Sequence, residues 1–334
     1  MYPPCTSLGA LLWFFSVLVF RRISKLRASN RRGEFDYHPG TLSDRFMRRL
    51  PLFILVAFNI IAAADPSREG IPRASAPSSA EGETSYLGAD LNTYPGDNAL
   101  PLLRKNFSFA GYWLSPPPGA KENTWVGKRE MLRSQGFGFA VLYAGPQSSA
   151  LKSEARAKQK GMNDAERSAA AAAKERFPPH TVIFLDIEEG GRLSKMYHAY
   201  LRAWIDELMR EGYRAGVYCS GMPVREAGGV TIVTADDIRN NIGSREMAYW
   251  VYNDACPPSP GCAVPPAPPP PSASGVPYAA VWQFGQSPRR REFTERCAAT
   301  YQPDGNCYAP GDTAHAWFLD VNAATSPDPS GGGK

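Results

Sequence analysis

No apolar run at the start of this sequence is long enough to cross a bilayer comfortably. Leu8 to Phe20 is the first such stretch, closed by Arg21 and Arg22, and at about 1.5 Å rise per residue it falls short of a hydrocarbon core about 30 Å thick. Zinc-type cysteine spacing is missing too. Cys256 with Cys262 and Cys297 with Cys307 form two close pairs, neither of them C-x₂-C, which argues against a zinc module. The third absence is charge of one sign in the body of the chain. Overall, 37 Lys and Arg face 32 Asp and Glu, but residues 1–64 hold 9 of the basic and 3 of the acidic groups, leaving 28 against 29. A body so near neutrality has no electrostatic footprint for nucleic acid.

What the early sequence does contain is a secretory signal in form. Met47-Arg48-Arg49 is a basic start, Leu50 to Ile61 an apolar segment, and Ala62-Ala63-Ala64 before Asp65 a small-residue cleavage site. Residues 1–46 then read as an upstream extension or N-terminal anchor, 47–64 as the signal peptide, and 65–84 as a disordered, Ser/Pro/Ala-rich linker. Any membrane association would run through this leader, and the mature protein is expected to be exported, periplasmic or extracellular. Cysteine usage agrees, since five of the six cysteines lie beyond the leader. In an oxidising compartment the local bridges Cys256–Cys262 and Cys297–Cys307 are the simplest of three connectivities. Cys219, in an apolar strand pattern, reads as a buried free thiol.

The remaining 85–324 is organised around TVIFLDIEEG, Thr181 to Gly190. Val182 to Leu185 are apolar on both alternating faces, as in a strand covered on both sides within a parallel sheet. The period of two then sends Asp186 and Glu188 to one face. Further strands are expected at Tyr86–Asn92, Phe109–Leu114, Gly138–Ala144, Arg214–Ser220, Glu246–Tyr252, Ala279–Phe284 and Ala316–Asn322. Helices are expected at Thr124–Ser134, at Asn163–Arg176 with Asn163-Asp164 as the cap, at Ser194–Arg210 and at Ala235–Asn240. A Pro-rich insertion, 256–277, reads as an exposed polyproline-like excursion, and the tail 325–334 as disordered. Eight strands in βα order predict a (β/α)₈ TIM-like barrel, irregular between strands six and eight, with an open doubly wound sheet as the alternative.

In such a barrel the strand ends converge on one mouth. Asp90, Asp186, Glu188 and Asp320 would meet there with Tyr143, Tyr218, Gln283 and Asn322, and Tyr112, Trp113, Trp250 and Trp282 would offer aromatic faces to sugar rings. Four carboxylates in one partly dry cleft repel one another and raise at least one proton affinity, as a general acid near neutral pH requires.

The stretches GADLNTY at Gly88, VIFLDIEEG at Val182, YRAGVYCSG at Tyr213, AVWQF at Ala280 and FLDVN at Phe318 together resemble glycoside hydrolase family 25, the Chalaropsis-type lysozymes. They resemble more closely a related bacterial glycoside-hydrolase-like domain of unknown function. KGMNDAERSAAAAAKERF from Lys160 is similar to a helix of that second branch. The resemblance implies a barrel and, by its activity, an exported glycosidase acting on peptidoglycan or another envelope polysaccharide. Glu188 would be the general acid, Asp186 would tune it, and Asp90 and Asp320 would bind or polarise the sugar. The chain departs from family 25 in reading GYWLSPP and VLYAGPQ where the lysozymes carry a Lys-containing second strand and an aromatic-His third. Two other readings are open: a glycan-binding envelope protein with little or no turnover, and a hydrolase in which the same four carboxylates hold Mg²⁺ or Ca²⁺. Nothing in the sequence demands a metal or other cofactor.

Overall fold

The computed structural model describes residues 84–333. The upstream extension, the signal peptide and all but the last residue of the expected linker lie outside the described residues. The described chain runs β1 Tyr86–Asp90, α1 Leu100–Arg104, β2 Phe109–Trp113, α2 Arg129–Ser134, β3 Gly138–Ala144, α3 Glu154–Lys174, β4 Val182–Asp186, α4 Lys195–Arg210 and β5 Arg214–Ser220. It continues with β6 Pro223–Arg225, β7 Thr231–Val233, α5 Thr234–Asn241, β8 Ala248–Tyr252, β9 Val281–Gly285, α6 Arg291–Thr294 and β10 Asp320–Ala324. Eight of these strands close into a barrel in the order β1, β2, β3, β4, β5, β8, β9, β10, which excludes the open sheet; β6 and β7 form a separate hairpin.

From β1 round to β9 every barrel pair is parallel. The closing strand is not. β10 runs antiparallel to both β9 and β1, pairing Asp320 with Asp90 and Asn322 with Gly88. The expected eighth strand, Ala316–Asn322, is thus shifted to 320–324 and reversed. No helix crosses back beneath the sheet between β9 and β10, only α6 and short turns, so nothing returns the chain to the lower rim before it re-enters the sheet.

The outer layer follows local chemistry. Ser194 accepts the Tyr197 N–H (3.2 Å) and starts α4; from there Tyr197, Leu201, Trp204, Ile205 and Leu208 are buried along one stripe. α3 begins well upstream of the expected Asn163, because Ser153 provides the cap by accepting the Arg156 N–H. Asp164 is no cap. It is 4% exposed, inside the helix, and accepts the Tyr200 hydroxyl (3.0 Å) and Lys160 Nζ (2.9 Å). Gly161 lets α3 lie directly on α4, since a Cβ there would press into the Tyr200 carbonyl oxygen. The helix expected from Thr124 is confined to 129–134. Asn123 accepts the Trp125 N–H and Glu175 accepts the Gly127 N–H, which holds the intervening residues in turns.

Three further expectations are corrected. The bridges are Cys256–Cys297 and Cys262–Cys307, joining the segment after β8 to the segment after β9, which are neighbours in the barrel; Cys219 is free and buried. The Pro-rich insertion is held against the body: Pro271, Ser274 and Val276 are buried, and Asn253 Nδ2 donates to the Ser274 carbonyl (2.7 Å). The tail, expected to be disordered, is ordered through residue 333 and fills the lower rim between β3 and β4. There Ser330 donates to the Phe139 carbonyl (2.8 Å), accepts the Val182 N–H (2.9 Å) and takes the Val141 N–H on its hydroxyl (2.8 Å). The Asp328 carboxylate accepts the N–H groups of Phe139, Gly332 and Gly333. Small polar residues that would be loose in water here satisfy strand ends that have no ladder partner.

Candidate functional site

The upper rim gathers its side chains by the alternation of each strand. On β1 the inward positions include Gly88 and Asp90, the latter 8% exposed. A Cβ at Gly111 on β2 would collide with the Asp90 side chain, so glycine there is what lets the carboxyl lie against the neighbouring strand. Trp113 ends β2, Leu142 faces in from β3, Asp186 ends β4, Tyr218 comes from β5 and Trp250 from β8. Because β10 enters from above, its first residue, Asp320, lies at the mouth. In a parallel eighth strand the same residue would sit at the bottom.

These side chains line a cavity of about 180 Å³ together with Asn92, Pro118, Glu188, Gln286 and Ser287. β4 ends at Asp186, and Glu188 stands on the loop just beyond, exposed, with Asp186 buried beneath it. Asp90 Oδ1 accepts Asn322 Nδ2 (2.6 Å), and Asn322 Oδ1 accepts Trp250 Nε1 (2.9 Å). Asp320 accepts the Ser287 N–H (2.6 Å) and Gln283 Nε2 (3.2 Å). Asp186 differs: among the described residues no group donates to its carboxyl.

Burial pushes the Asp90 carboxyl up to about 7, against the opposing hydrogen bond from Asn322. Asp186 is raised well above the usual carboxylate range by burial first, then by the charges of Glu188 and Asp90. Asp320 is likewise raised by burial and by Asp90. Desolvation and like charge act in one direction here, so these acids hold protons at pH values where exposed ones have lost them.

Of the residues expected at the mouth, Asp90, Asp186, Glu188, Asp320, Trp113, Tyr218 and Trp250 line the cavity. Gln283 and Asn322 do not; they are buried one layer below and orient Asp320 and Asp90. Tyr143, Trp282 and Tyr112 occupy outward positions. Tyr143 packs on Trp204 of α4 (5.7 Å between ring centres), Trp282 donates to the Asn253 carbonyl (2.9 Å), and Tyr112 donates to the Trp125 carbonyl (2.7 Å). In each case a shift of one residue along the strand decides the face. Gln286 and Ser287 were not anticipated. They lie just past β9, where the strand-end rule applied to AVWQFGQS would have found them. Among the described residues no cluster of three or more His, Cys, Asp or Glu side chains is placed to hold a metal ion.

Against known proteins, residues 105–255 match the model of the Rv2525c-like, glycoside hydrolase-like domain. No curated protein matches the chain. Among solved structures, an uncharacterized protein of B. stearothermophilus is 20% identical, with 72% of this chain and 95% of that one covered at a TM-score of 0.46. The Tat-secreted protein Rv2525c of Mycobacterium tuberculosis is 16% identical, covering 74% and 97% at 0.43. A family 25 glycosyl hydrolase from Bacillus anthracis is 12% identical, covering 72% and 89% at 0.40. Over residues 105–255, from just before β2 to just past β8, the chain is similar to the Rv2525c-like, glycoside hydrolase-like domain, the relationship its strand-end motifs imply.

Proposed function

We propose that this chain is an exported glycoside hydrolase-like protein acting on peptidoglycan or another envelope polysaccharide. The observation that carries the reading is the meeting of four carboxyls, two of them (Asp186 and Glu188) without a donor among the described residues, with three aromatic side chains in one cleft. A glycosidic bond breaks when a carboxyl gives its proton to the leaving oxygen while fixed negative charge meets the oxocarbenium-like transition state. Glu188, at the open edge, is assigned to proton delivery. Asp186 beneath it has a proton affinity raised by burial and by the neighbouring charges of Glu188 and Asp90. Asp90, across the cavity, supplies negative charge above about pH 7, and Asp320 holds the sugar with it. Trp113 and the partly exposed Tyr218 give the ring an apolar face, with Trp250 buried behind Tyr218. Two disulfides between distant segments suit an oxidising compartment.

The test is release of reducing ends from purified peptidoglycan. Glu188→Gln is expected to lower release by about a hundredfold or more and Asp186→Asn to move the pH profile of what is left. Equal release by wild type and Glu188→Gln rejects Glu188 as the acid. A second reading, a glycan binder with little turnover, is favoured by the proton affinities themselves, because three raised acids leave few ionised carboxylates at neutral pH. Binding without release by any variant supports it.

A further inference from the structure

The cleft continues past the carboxyls. A second lobe of about 340 Å³ shares Glu188, Tyr218, Gln286 and Ser287 with the first and adds Tyr252, Pro288 and Arg290. Arg290 is the one cation lining either lobe among the described residues. Its guanidinium is held along one edge: Nε donates to Asp254 Oδ2 (3.2 Å), and Nη2 donates to Asp254 Oδ1 and to Met222 Sδ (3.4 Å). The rings of Tyr252 and Phe293 lie 5.2 and 5.1 Å from its central carbon. Nη1, with two N–H groups, has no acceptor among the described residues. Nearby, Gln286 Oε1 is buried with no donor.

This arrangement is costly unless it is used. Asp254 is 1% exposed, and its carboxylate has no side-chain partner but Arg290. Taking such a pair out of water is unfavourable before the attraction offsets it. What it yields is a guanidinium whose plane is fixed before any ligand arrives, and that plane matches a carboxylate. One carboxyl, Glu188, shares the wall of this lobe with Arg290, while the Asp254 carboxylate beneath is paired with the guanidinium.

We propose that this lobe is a subsite for a carboxylate carried by the glycan, bound by the unoccupied edge of Arg290, with Gln286 Oε1 accepting a hydroxyl or amide N–H of the same unit. The proposal rests on the glycan reading above and narrows it to acidic saccharides. The carboxylate can sit on the ring, as in a uronic acid, or on a substituent, as in a peptide-bearing sugar.

Titration calorimetry with wild-type protein tests this with four probes: an oligouronide, a muropeptide, and each of these after chemical reduction of its carboxyls to alcohols. A preference of about tenfold or more for the acidic form is expected, and which probe shows it names the source. Arg290→Lys keeps the charge but loses the fork, and the double variant Arg290→Gln/Asp254→Asn leaves no buried charge unpaired. In both, the acidic-to-reduced ratio is expected to fall toward one. Equal affinity of wild type for acidic and reduced forms overturns the subsite while leaving the glycan reading intact. Absence of binding by every saccharide overturns both. An unchanged ratio in the variants removes Arg290 from the role.

Discussion

The two sides of the barrel are covered by different means. From β3 to β5 the sheet lies under α3 and α4, whose facing stripes bury Ala157, Ala165, Ala169, Leu201, Trp204 and Leu208. From β8 to β10 there is little helix, and the long segments beyond β8 and β9 are joined instead by Cys256–Cys297 and Cys262–Cys307. One side is closed by apolar area removed from water and the other by restricting the unfolded chain. The carboxyls draw on both. Asp186 stands on the helix-covered side, whereas Asp320, Gln286 and Arg290 stand on the cross-linked one.

The comparison can be broken at four points. Trp204→Ala, in the packed side, is expected to cost about 3–5 kcal/mol and to lower the denaturant midpoint equally with and without reductant. Reduction of both bridges is expected to cost about 2–4 kcal/mol per bridge at most, with loss of the proposed glycan binding at lower denaturant than loss of helical circular dichroism. A single coincident transition would show the two sides to be one cooperative unit. Asp90→Asn tests the rim that joins them. The Asp90 carboxyl is raised in the folded state, to about 7 from 3.8, so folding favours its protonated form. Wild type therefore loses stability as pH climbs from about 4 to 7. The asparagine variant is expected to match wild type near pH 4 and to exceed it by about 4 kcal/mol at pH 8; thermal melts at the two pH values check the sign. The smallest effect is expected at the lower rim, where Asp328→Ala removes the acceptor for three backbone N–H groups and should cost about 1–3 kcal/mol.

Legibility in the sequence divides along the same line. β3 and β5 have the expected bounds, and β4, α4 and α5 lie within a few residues of theirs, because buried parallel strands and amphipathic helices repeat their apolar residues at fixed periods. Reversal of β10 carries no such signature. FLDVN reads alike in either direction, and only the missing crossover helix marks it. The disulfide pairing and the ordered tail depend on which loops become neighbours after closure, which spacing along the chain does not encode. Within the site, Asp90, Asp186, Glu188 and Asp320 could be named from strand ends. Tyr143 and Trp282 were misassigned because an aromatic near a strand end faces either way with one residue's difference. Asn322 and Gln283 have a polar character that reads as contact with ligand, while their buried amides are engaged with aspartates.

The downward course of β10 has a geometric outcome for how the molecule could be displayed. Its C-terminal end emerges at the opposite pole from the carboxyls, and Ser330 is anchored there beside Phe139 and Val182. An affinity handle joined beyond Gly333 would therefore start from the underside of the barrel, away from the acidic opening.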